Sequence, residues 1–163
     1  MGLALVFAVL GGCGHYRWGP PDDLPFQSVY VPPVTSRAIA PQTVVPTTEA
    51  LRAEVARNPA LTLAASADTA DAVLEVHLVA LRRERAARTR NVPDRLITVA
   101  LFLEARATLG HPATGEVWFT DRSFTAEQRA DTASGLTQAE YQAMPQLAAD
   151  LARQIVSTAS SLW

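Results

Sequence analysis

Lysine is absent from this chain, and cysteine and histidine are scarce. All 14 basic residues are arginine, against 16 acidic ones, so the formal charge is only −2. A nearly neutral chain has no global attraction to nucleic acid. The single cysteine excludes an internal disulfide, and the three scattered histidines show no metal-site spacing. No metal centre is expected, and the cysteine needs another explanation.

Motifs of common catalytic and nucleotide-binding sites are missing as well. The chain contains no Gly-x-Ser-x-Gly elbow, P-loop, GxGxxG or His-Glu-x-x-His. The pair Asp121-Arg122 could be functional, but a salt bridge at a strand end is the commoner arrangement. His77 fits an exposed strand position better than a metal ligand. Because no set of titratable residues converges, we predict no catalytic residues and no enzyme.

The position of the cysteine gives it a role. Residues 2–10 are apolar, too few to span a bilayer, which takes about 20 residues. Their number suits the core of a signal peptide, about 7–15 residues. The run ends in Leu10-Gly11-Gly12-Cys13, which looks like a lipobox. We predict a signal peptide over residues 1–12 and a lipidated Cys13, with diacylglycerol and an N-acyl chain as the covalent groups and no other cofactor.

We expect this lipid to anchor the protein in a membrane, because each CH₂ of an acyl chain that is buried in the bilayer contributes about 0.8 kcal/mol to membrane binding. Gly14, not aspartate, follows the cysteine; by resemblance to sorted bacterial lipoproteins, this favours the periplasmic side of the outer membrane. Residues 13–25 are rich in Gly, Pro and Asp and predict a short tether. Residues 1–3 lack the positive side chain usual in a signal peptide, so we expect the true start to lie upstream.

Residues 26–163 predict a single α+β domain. The expected order is β-α-β-β-β-α, a four-stranded mixed, mostly antiparallel sheet with two helices packed on one face. Expected elements are strands at 26–31, 72–81, 96–109 and 116–124, a helix at 49–58, and a helix from 141 to about 160. Thr47 or Thr48 would cap the first helix. Residues 137–140 form a capping-box pattern before the second, with a kink or restart at Pro145.

Alternation predicts which strand residues face the core. In strand 72–81, even-numbered residues from Leu74 to Ala80 would share one face, with Val79 and Leu81 on the other. In strand 96–109, odd-numbered residues from Ile97 to Leu109 form a continuous apolar face. Residues 61–63 read as a short extended piece, and residues 125–136 as a loop.

One charged segment stands out between the two long strands. Its six arginines are offset only by Glu84 and Asp94. They are Arg82, Arg83, Arg85, Arg88, Arg90 and Arg95. The segment is either a solvated hairpin tip or a site for an anionic partner, such as lipid phosphates or an acidic protein wall, since guanidinium groups bind phosphate and carboxylate bidentately.

Several stretches together resemble one known family. They are Gly12-Cys13-Gly14-His15-Tyr16, the strand 26–31, Leu51-Arg52, the paired long strands, residues 115–124 with Asp121-Arg122, the stretch 140–145 and the helix 147–156. Together they resemble the LPS-assembly lipoproteins (LptE), over nearly the whole chain after Cys13.

The resemblance implies a sheet with two helices on one side, sitting as a plug inside an LptD-like outer-membrane β-barrel. Such a plug helps the barrel to assemble and to insert lipopolysaccharide into the outer leaflet. Lipopolysaccharide itself is an implied ligand. Only the lipidated cysteine transfers directly, onto Cys13. The possible anion-binding role of the arginine segment, residues 82–95, is inferred from its own composition and not from the resemblance.

The sequence is also compatible with three other functions. The chain could be a lipoprotein subunit of a phospholipid or lipid transport system, which predicts a pocket for acyl chains. It could be an envelope enzyme, which predicts a cleft with clustered titratable groups. It could also be a structural envelope lipoprotein without a ligand.

Overall fold

A computed structural model describes residues 24–37, 41–85, 98–131 and 136–162. The predicted signal peptide, almost all of the tether and most of the arginine segment lie outside these residues. The elements are β1 (Ser28–Tyr30), β2 (Thr35–Ser36), α1 (Val44–Arg57), β3 (Thr62–Leu63), β4 (Ala72–Arg85), β5 (Thr98–Gly110), β6 (Val117–Asp131) and α2 (Leu136–Ser160).

All six strands belong to one mixed sheet. Its order is β3-β1-β4-β5-β6, and β2 pairs with β4 on the same side as β1. The long strands β4, β5 and β6 are antiparallel, whereas the pairs made by β1, β2 and β3 are parallel. The α+β class and the mixed sheet are confirmed. The predicted count of four strands is wrong.

The two additional strands are short: β2 was not predicted, and β3 was predicted only as a short extended piece at residues 61–63, not as a strand of the sheet. β2 and β3 have two residues each, too few to show alternation. Pro32 and Pro33 lie between β1 and β2 and interrupt the backbone pairing there, because proline has no N–H to donate. The chain then resumes pairing along β4, where Thr35 lies opposite His77.

One face of the sheet is covered by both helices and forms the core. α2 packs on β5 and β6, and α1 packs against α2. The predicted inward face of β5 is confirmed for the described residues: Val99, Leu101, Leu103, Ala105, Ala107 and Leu109 are all buried. Side chains of both helices complete this core: Leu51 and Val55 of α1, and Leu147, Leu151 and Ile155 of α2. We call this the covered face, and the opposite side the open face.

α1 begins one and a half turns earlier than predicted. Pro46 lies in its first turn, where a missing N–H costs nothing because those N–H groups have no helical partner. The predicted capping by Thr47 or Thr48 is wrong. Both are buried within the helix, and their hydroxyl groups donate to the carbonyls of Thr43 and Val44. Thr48 Oγ1 also accepts a hydrogen bond from the Val34 N–H at 3.0 Å.

The C-terminal third also differs from the prediction. β6 runs on to Asp131, through residues expected to be a loop. α2 begins at Leu136 and continues through Pro145 without a restart. Thr137 therefore lies inside the helix and is not its cap. The carboxylate of Glu140, expected in a capping box, binds Arg83 of β4 instead.

Candidate functional site

A β-bulge in β4 decides on which face of the sheet Arg82 and Arg83 lie. Up to Leu78, which lies opposite Ala105, the even-numbered residues face the core as predicted. The register then shifts at Val79, so that Ala80 lies opposite Glu104 and Leu81 opposite Leu103. A bulge adds one residue and reverses the alternation beyond it. The prediction that Ala80 shares the covered face is wrong, because Leu81 takes that side.

Arg82 consequently lies on the open face. Its Nη2 atom is 2.5 Å from Oε1 of Glu104, and Glu84 accepts from its Nη1 at 3.4 Å. The guanidinium carbon lies 5.6 Å from the centre of the Phe102 ring, a cation–π contact. Half of the Arg82 side chain remains in solvent. This arginine is partnered by two carboxylates and a ring on the solvent side.

Arg83 lies on the covered face and reaches α2. Its Nε and Nη2 atoms donate to the two carboxylate oxygens of Glu140, the second bond measuring 3.0 Å. The Glu140 side chain is only 8% exposed. These hydrogen bonds raise the pKa of Arg83 above its ordinary value. The bidentate pair joins the far end of β4 to the first turns of α2.

The side chains of the other four arginines of the segment lie outside the described part of the chain. Arg85 ends β4 in the backbone, and Arg88, Arg90 and Arg95 lie outside the described residues. Of the six predicted residues, the structure describes the side chains of Arg82 and Arg83 only, and it places these two on opposite faces of the sheet. Glu140 and Glu104 are the partners that sequence reasoning missed. Glu140 is 57 positions from Arg83, and no local pattern links the two.

The open face is polar along β5 and β6. Arg106 of β5 binds the Asp121 carboxylate across to β6, so Asp121 does not pair with its neighbour Arg122, which lies over the ring of Phe124. Asp121 has a φ of 52°, in the left-handed region that aspartate tolerates better than most residues. It lies where the β5–β6 register shifts. The face offers charged and hydrogen-bonding groups to a polar surface.

His77 belongs to no cluster of possible metal ligands in the part of the chain that the structure describes. His77 is half-buried, not exposed as expected, and its Nδ1 lies 2.7 Å from Thr35 Oγ1. Within the described ranges, no group of three or more His, Cys, Asp or Glu side chains is placed to hold a metal ion. In the same ranges no helix is long and apolar enough to cross a membrane.

A cleft of about 490 Å³ lies between the C-terminal halves of α1 and α2. Polar and charged residues dominate its lining, among them Glu54, Asn58, Arg153 and Ser157. Sites for acyl chains are lined mainly by apolar side chains. The surface that these residues turn to the cleft is nevertheless mainly apolar, and the cleft is open to solvent. The core beneath the helices is filled by packed apolar residues.

Comparison with protein families identifies the chain. The model of the family described as "LptE: Lipopolysaccharide-assembly" matches residues 26–159. The match includes all six strands and all but the last residue of α2. The chain belongs to the LptE family. The resemblance inferred from the sequence is thus confirmed, and LptE membership makes this a lipopolysaccharide-assembly protein in general terms.

Solved structures with the same fold as this LptE member have low sequence identity. A protein of Xanthomonas campestris matches with a TM-score of 0.56 and 15% identity, covering 88% of this chain and 90% of that one. Lipoprotein B of Nitrosomonas europaea matches with a TM-score of 0.54 and 14% identity, covering 92% and 90%. A hypothetical protein of Chlamydia trachomatis matches with a TM-score of 0.54 and 14% identity, covering 83% and 96%. At these identities the likeness concerns the fold alone.

A comparison with curated proteins gave no match. The LptE match contains Arg82, Arg83 and Glu140, whereas Cys13 precedes it. The family match therefore covers the two-face geometry of β4 but not the predicted lipidation site at Cys13.

Proposed function

We propose that this chain is a lipid-anchored outer-membrane protein that sits as a plug in an LptD-like β-barrel and assists lipopolysaccharide insertion. The observation that carries the proposal is the LptE family match over the whole folded domain. The Leu10-Gly11-Gly12-Cys13 sequence supplies the anchor. The anchor would hold the domain at the periplasmic side of the outer membrane.

The open face supports a role inside a polar lumen. A large membrane barrel has a polar interior, so a protein enclosed by it needs hydrogen-bonding groups outside and a filled core inside. The sheet offers Arg82, Glu104, Arg106 and Asp121 on the open face. Among the described residues, the space between the sheet and the helices is filled by packed apolar side chains, as a plug requires. The plug is favoured over the lipid-transport subunit because of this filled core and the family match.

Copurification tests the plug. The full-length chain is extracted from the outer membrane of its own bacterium in mild detergent, and the proteins recovered with it are identified. We expect a large β-barrel protein in near-equal amount. A Cys13→Ser variant is the matched control for the anchor and should leave the membrane fraction more easily. Recovery of the wild-type chain without a barrel would overturn the proposal.

We further propose that the arginine segment binds the phosphates of lipopolysaccharide. Because Arg82 and Arg83 already have carboxylate partners, binding would depend chiefly on Arg85, Arg88, Arg90 and Arg95. The double variant Arg85→Ala with Arg88→Ala should weaken binding to vesicles containing lipopolysaccharide, and the loss should shrink as salt is added.

A control of equal charge accompanies this variant. Arg57 and Arg153 are 72% and 57% exposed, far along the chain from the arginine segment, and their double alanine variant removes the same two charges. Vesicles without lipopolysaccharide measure binding to membrane phosphates alone. Unchanged binding by Arg85→Ala with Arg88→Ala, or an equal loss in the control variant, would remove the arginine hypothesis.

A further inference from the structure

α2 has an outer side that carries almost no charge. Of the 25 residues of this helix, only Glu140, Asp150 and Arg153 are charged. Glu140 is turned to the sheet, where it binds Arg83, and Asp150 is half-buried and binds Arg153. Most of the outer side consists of neutral hydrogen-bonding side chains, which we call the amide stripe. They are the exposed residues Gln138, Tyr141, Gln142, Gln146, Gln154 and Ser157.

This composition differs from that of the open face of the sheet. The open face carries Arg82, Glu104, Arg106 and Asp121, all in ion pairs that water reaches. A helix that faces water usually has charged residues on its polar side. Surfaces that become buried in an interface have few charges, because burying an ion costs far more than burying a hydrogen-bonded amide. The amide stripe is therefore better suited than the open face to lose its water.

Two exposed residues of this side are unfavourable in a helix that faces only water. Pro145 has no N–H, so the carbonyl of Tyr141, four residues earlier, lacks its usual helical hydrogen bond. Proline is also the least favourable residue in a helix interior. The large Tyr141 side chain is 61% exposed. An exposed aromatic ring and a carbonyl that can accept a hydrogen bond are both useful where a partner supplies apolar contact and a donor.

The length of the stripe fits the wall of a membrane barrel. From Gln138 to Ser157 the helix rises about 29 Å, at 1.5 Å per residue, and the apolar band of a barrel wall is about 25 Å high. We propose that the amide stripe docks along the lumen wall of the barrel, and that the open face of the sheet is turned to water in the rest of the lumen. This inference rests on the proposed plug and names the surface that holds it.

The cleft between the helices extends this surface. Arg153, Gln154 and Ser157 of α2 line it together with Glu54 and Asn58 of α1. The surface turned to the cleft is mainly apolar, and the cleft is open to solvent. Side chains that anchor an interface typically fill a pocket of this kind. A side chain of the barrel wall that enters the cleft would fix the position of the stripe along the wall.

A charge placed on the stripe tests the docking. Gln142 is exposed, and Gln142→Arg would bury an ion without a partner at the wall. In the copurification that tests the plug, we expect the amount of barrel recovered per chain to fall at least about tenfold. Gln142→Glu should lower it as well, because a buried charge of either sign is costly. A recovery above that of the wild type with either variant would overturn the neutral contact.

The matched control carries the same charges on the open face. Thr125 is exposed on β6 and lies opposite Glu104 of β5. Thr125→Arg and Thr125→Glu should leave the recovery of the barrel unchanged, because the proposal turns this face to water. Circular dichroism of the purified chains checks that every variant is folded.

Pro145→Ala separates docking from folding. The alanine supplies the N–H that the Tyr141 carbonyl lacks, so the purified chain should unfold at a higher denaturant concentration than the wild type. The same change takes an acceptor away from the partner. Recovery of the barrel should therefore fall about fivefold, the equivalent of one hydrogen bond. A residue with a structural role only would move stability and recovery in the same direction.

Photo-crosslinking tests the contact itself. Benzoylphenylalanine, a photoreactive derivative of phenylalanine, replaces Tyr141 in one variant and Thr125 in another. Irradiation of the cells should join the first variant to the barrel and should leave the second unattached. Attachment through position 125 and not through position 141 would assign the wall contact to the open face.

The outcomes separate this inference from the plug itself. If the wild-type chain is recovered with a barrel and the Gln142 variants behave like the Thr125 variants, the docking surface is wrong and the plug stands. The same holds if only the Thr125 variants lose the barrel. If the wild-type chain is recovered without a barrel, both the plug and this inference fail.

Discussion

Arg82 and Arg83 are neighbours in the chain and both bind a glutamate, yet their ion pairs lie on opposite faces of the sheet. Glu104, the partner of Arg82, keeps 28% of its side chain exposed, whereas Glu140, the partner of Arg83, keeps only 8%. Water screens the first pair and hardly reaches the second carboxylate. Burial of the carboxylate partner, more than the chemistry of the pair, therefore sets how much an ion pair contributes to the stability of the fold.

The largest effect should come from the packed core of the covered face. Leu103 is fully buried between the sheet and the helices. Leu103→Ala should lower the free energy of unfolding by about 2–5 kcal/mol, since it removes apolar contacts and leaves a cavity. Thr125→Ala on the open face is the control, with an expected change of about 0.5 kcal/mol or less. Denaturant unfolding measures both. Equal losses would mean that the two faces do not differ as described.

The next effect concerns the pair that joins the sheet to α2. Arg83→Met keeps an apolar stem of similar length and removes the guanidinium, so the buried Glu140 carboxylate loses its bidentate partner. We expect a loss of about 1–3 kcal/mol in the free energy of unfolding.

The double variant Arg83→Met with Glu140→Met sharpens this test. Removing both charges should cost less than removing Arg83 alone, because no carboxylate is then left buried without a partner. Costs that simply add would show that the two side chains are not coupled.

A smaller effect is expected on the open face. Arg82→Met removes the same chemical group from a pair that water reaches, and should cost about 0–1 kcal/mol. Salt should reduce this cost further, since an exposed pair is screened. The measurement is denaturant unfolding at low and high salt beside Arg83→Met. A loss of stability as large as that of Arg83→Met would show that burial of the glutamate does not distinguish the two ion pairs.

The smallest effect separates hydrogen bonding from burial. Asp71 is exposed, but its carboxylate accepts hydrogen bonds from the Ser28 hydroxyl and from the N–H groups of Ser28 and Gln27. These bonds, chiefly the one from the Ser28 side chain, lower the pKa of Asp71 below its ordinary value of 3.8. A lowered pKa in the folded state contributes stability above pH 3.8, which is lost as the pH falls through the folded-state pKa.

The variant Asp71→Asn checks this sign. It should be less stable than the wild type at neutral pH, and the difference should shrink as the pH falls below 3.8. Unfolding curves at several pH values measure the difference. A gap that stays constant or widens in acid would contradict the assignment.

Much of the fold could be predicted because it depends on local pattern. The alternation in β5 from Val99 to Leu109 identifies its buried face, and the helical spacing from Tyr141 to Ile155 identifies α2. β2 could not be predicted, and residues 61–63 could be predicted as extended but not as the sheet strand β3, since two-residue strands exist only through their neighbours. The start of α1 was missed because Pro46 reads as loop, although the first turn of a helix accepts it.

The candidate site was less accessible to sequence reasoning. The composition of the arginine segment and the predicted lipobox at Cys13 can be read from the sequence directly. The bulge at Val79 is not, because one extra residue in a strand leaves no local signature. That bulge directs Arg82 to solvent and Arg83 to α2, and it joins Arg83 to a glutamate 57 positions away. Asp121 likewise pairs with Arg106 across the sheet instead of with its neighbour.

The sequence alone determined the family, the α+β class, the core face of β5 and the predicted lipid site at Cys13. These follow from local composition and periodicity, which each segment contains within itself. Only the tertiary structure decided that Arg82 and Arg83 lie on opposite faces, that Glu140 is buried, and that β6 is an edge strand among the described strands. These depend on the register between strands distant in the chain. Register is set by the summed packing and hydrogen bonding of whole strands, not by any one residue.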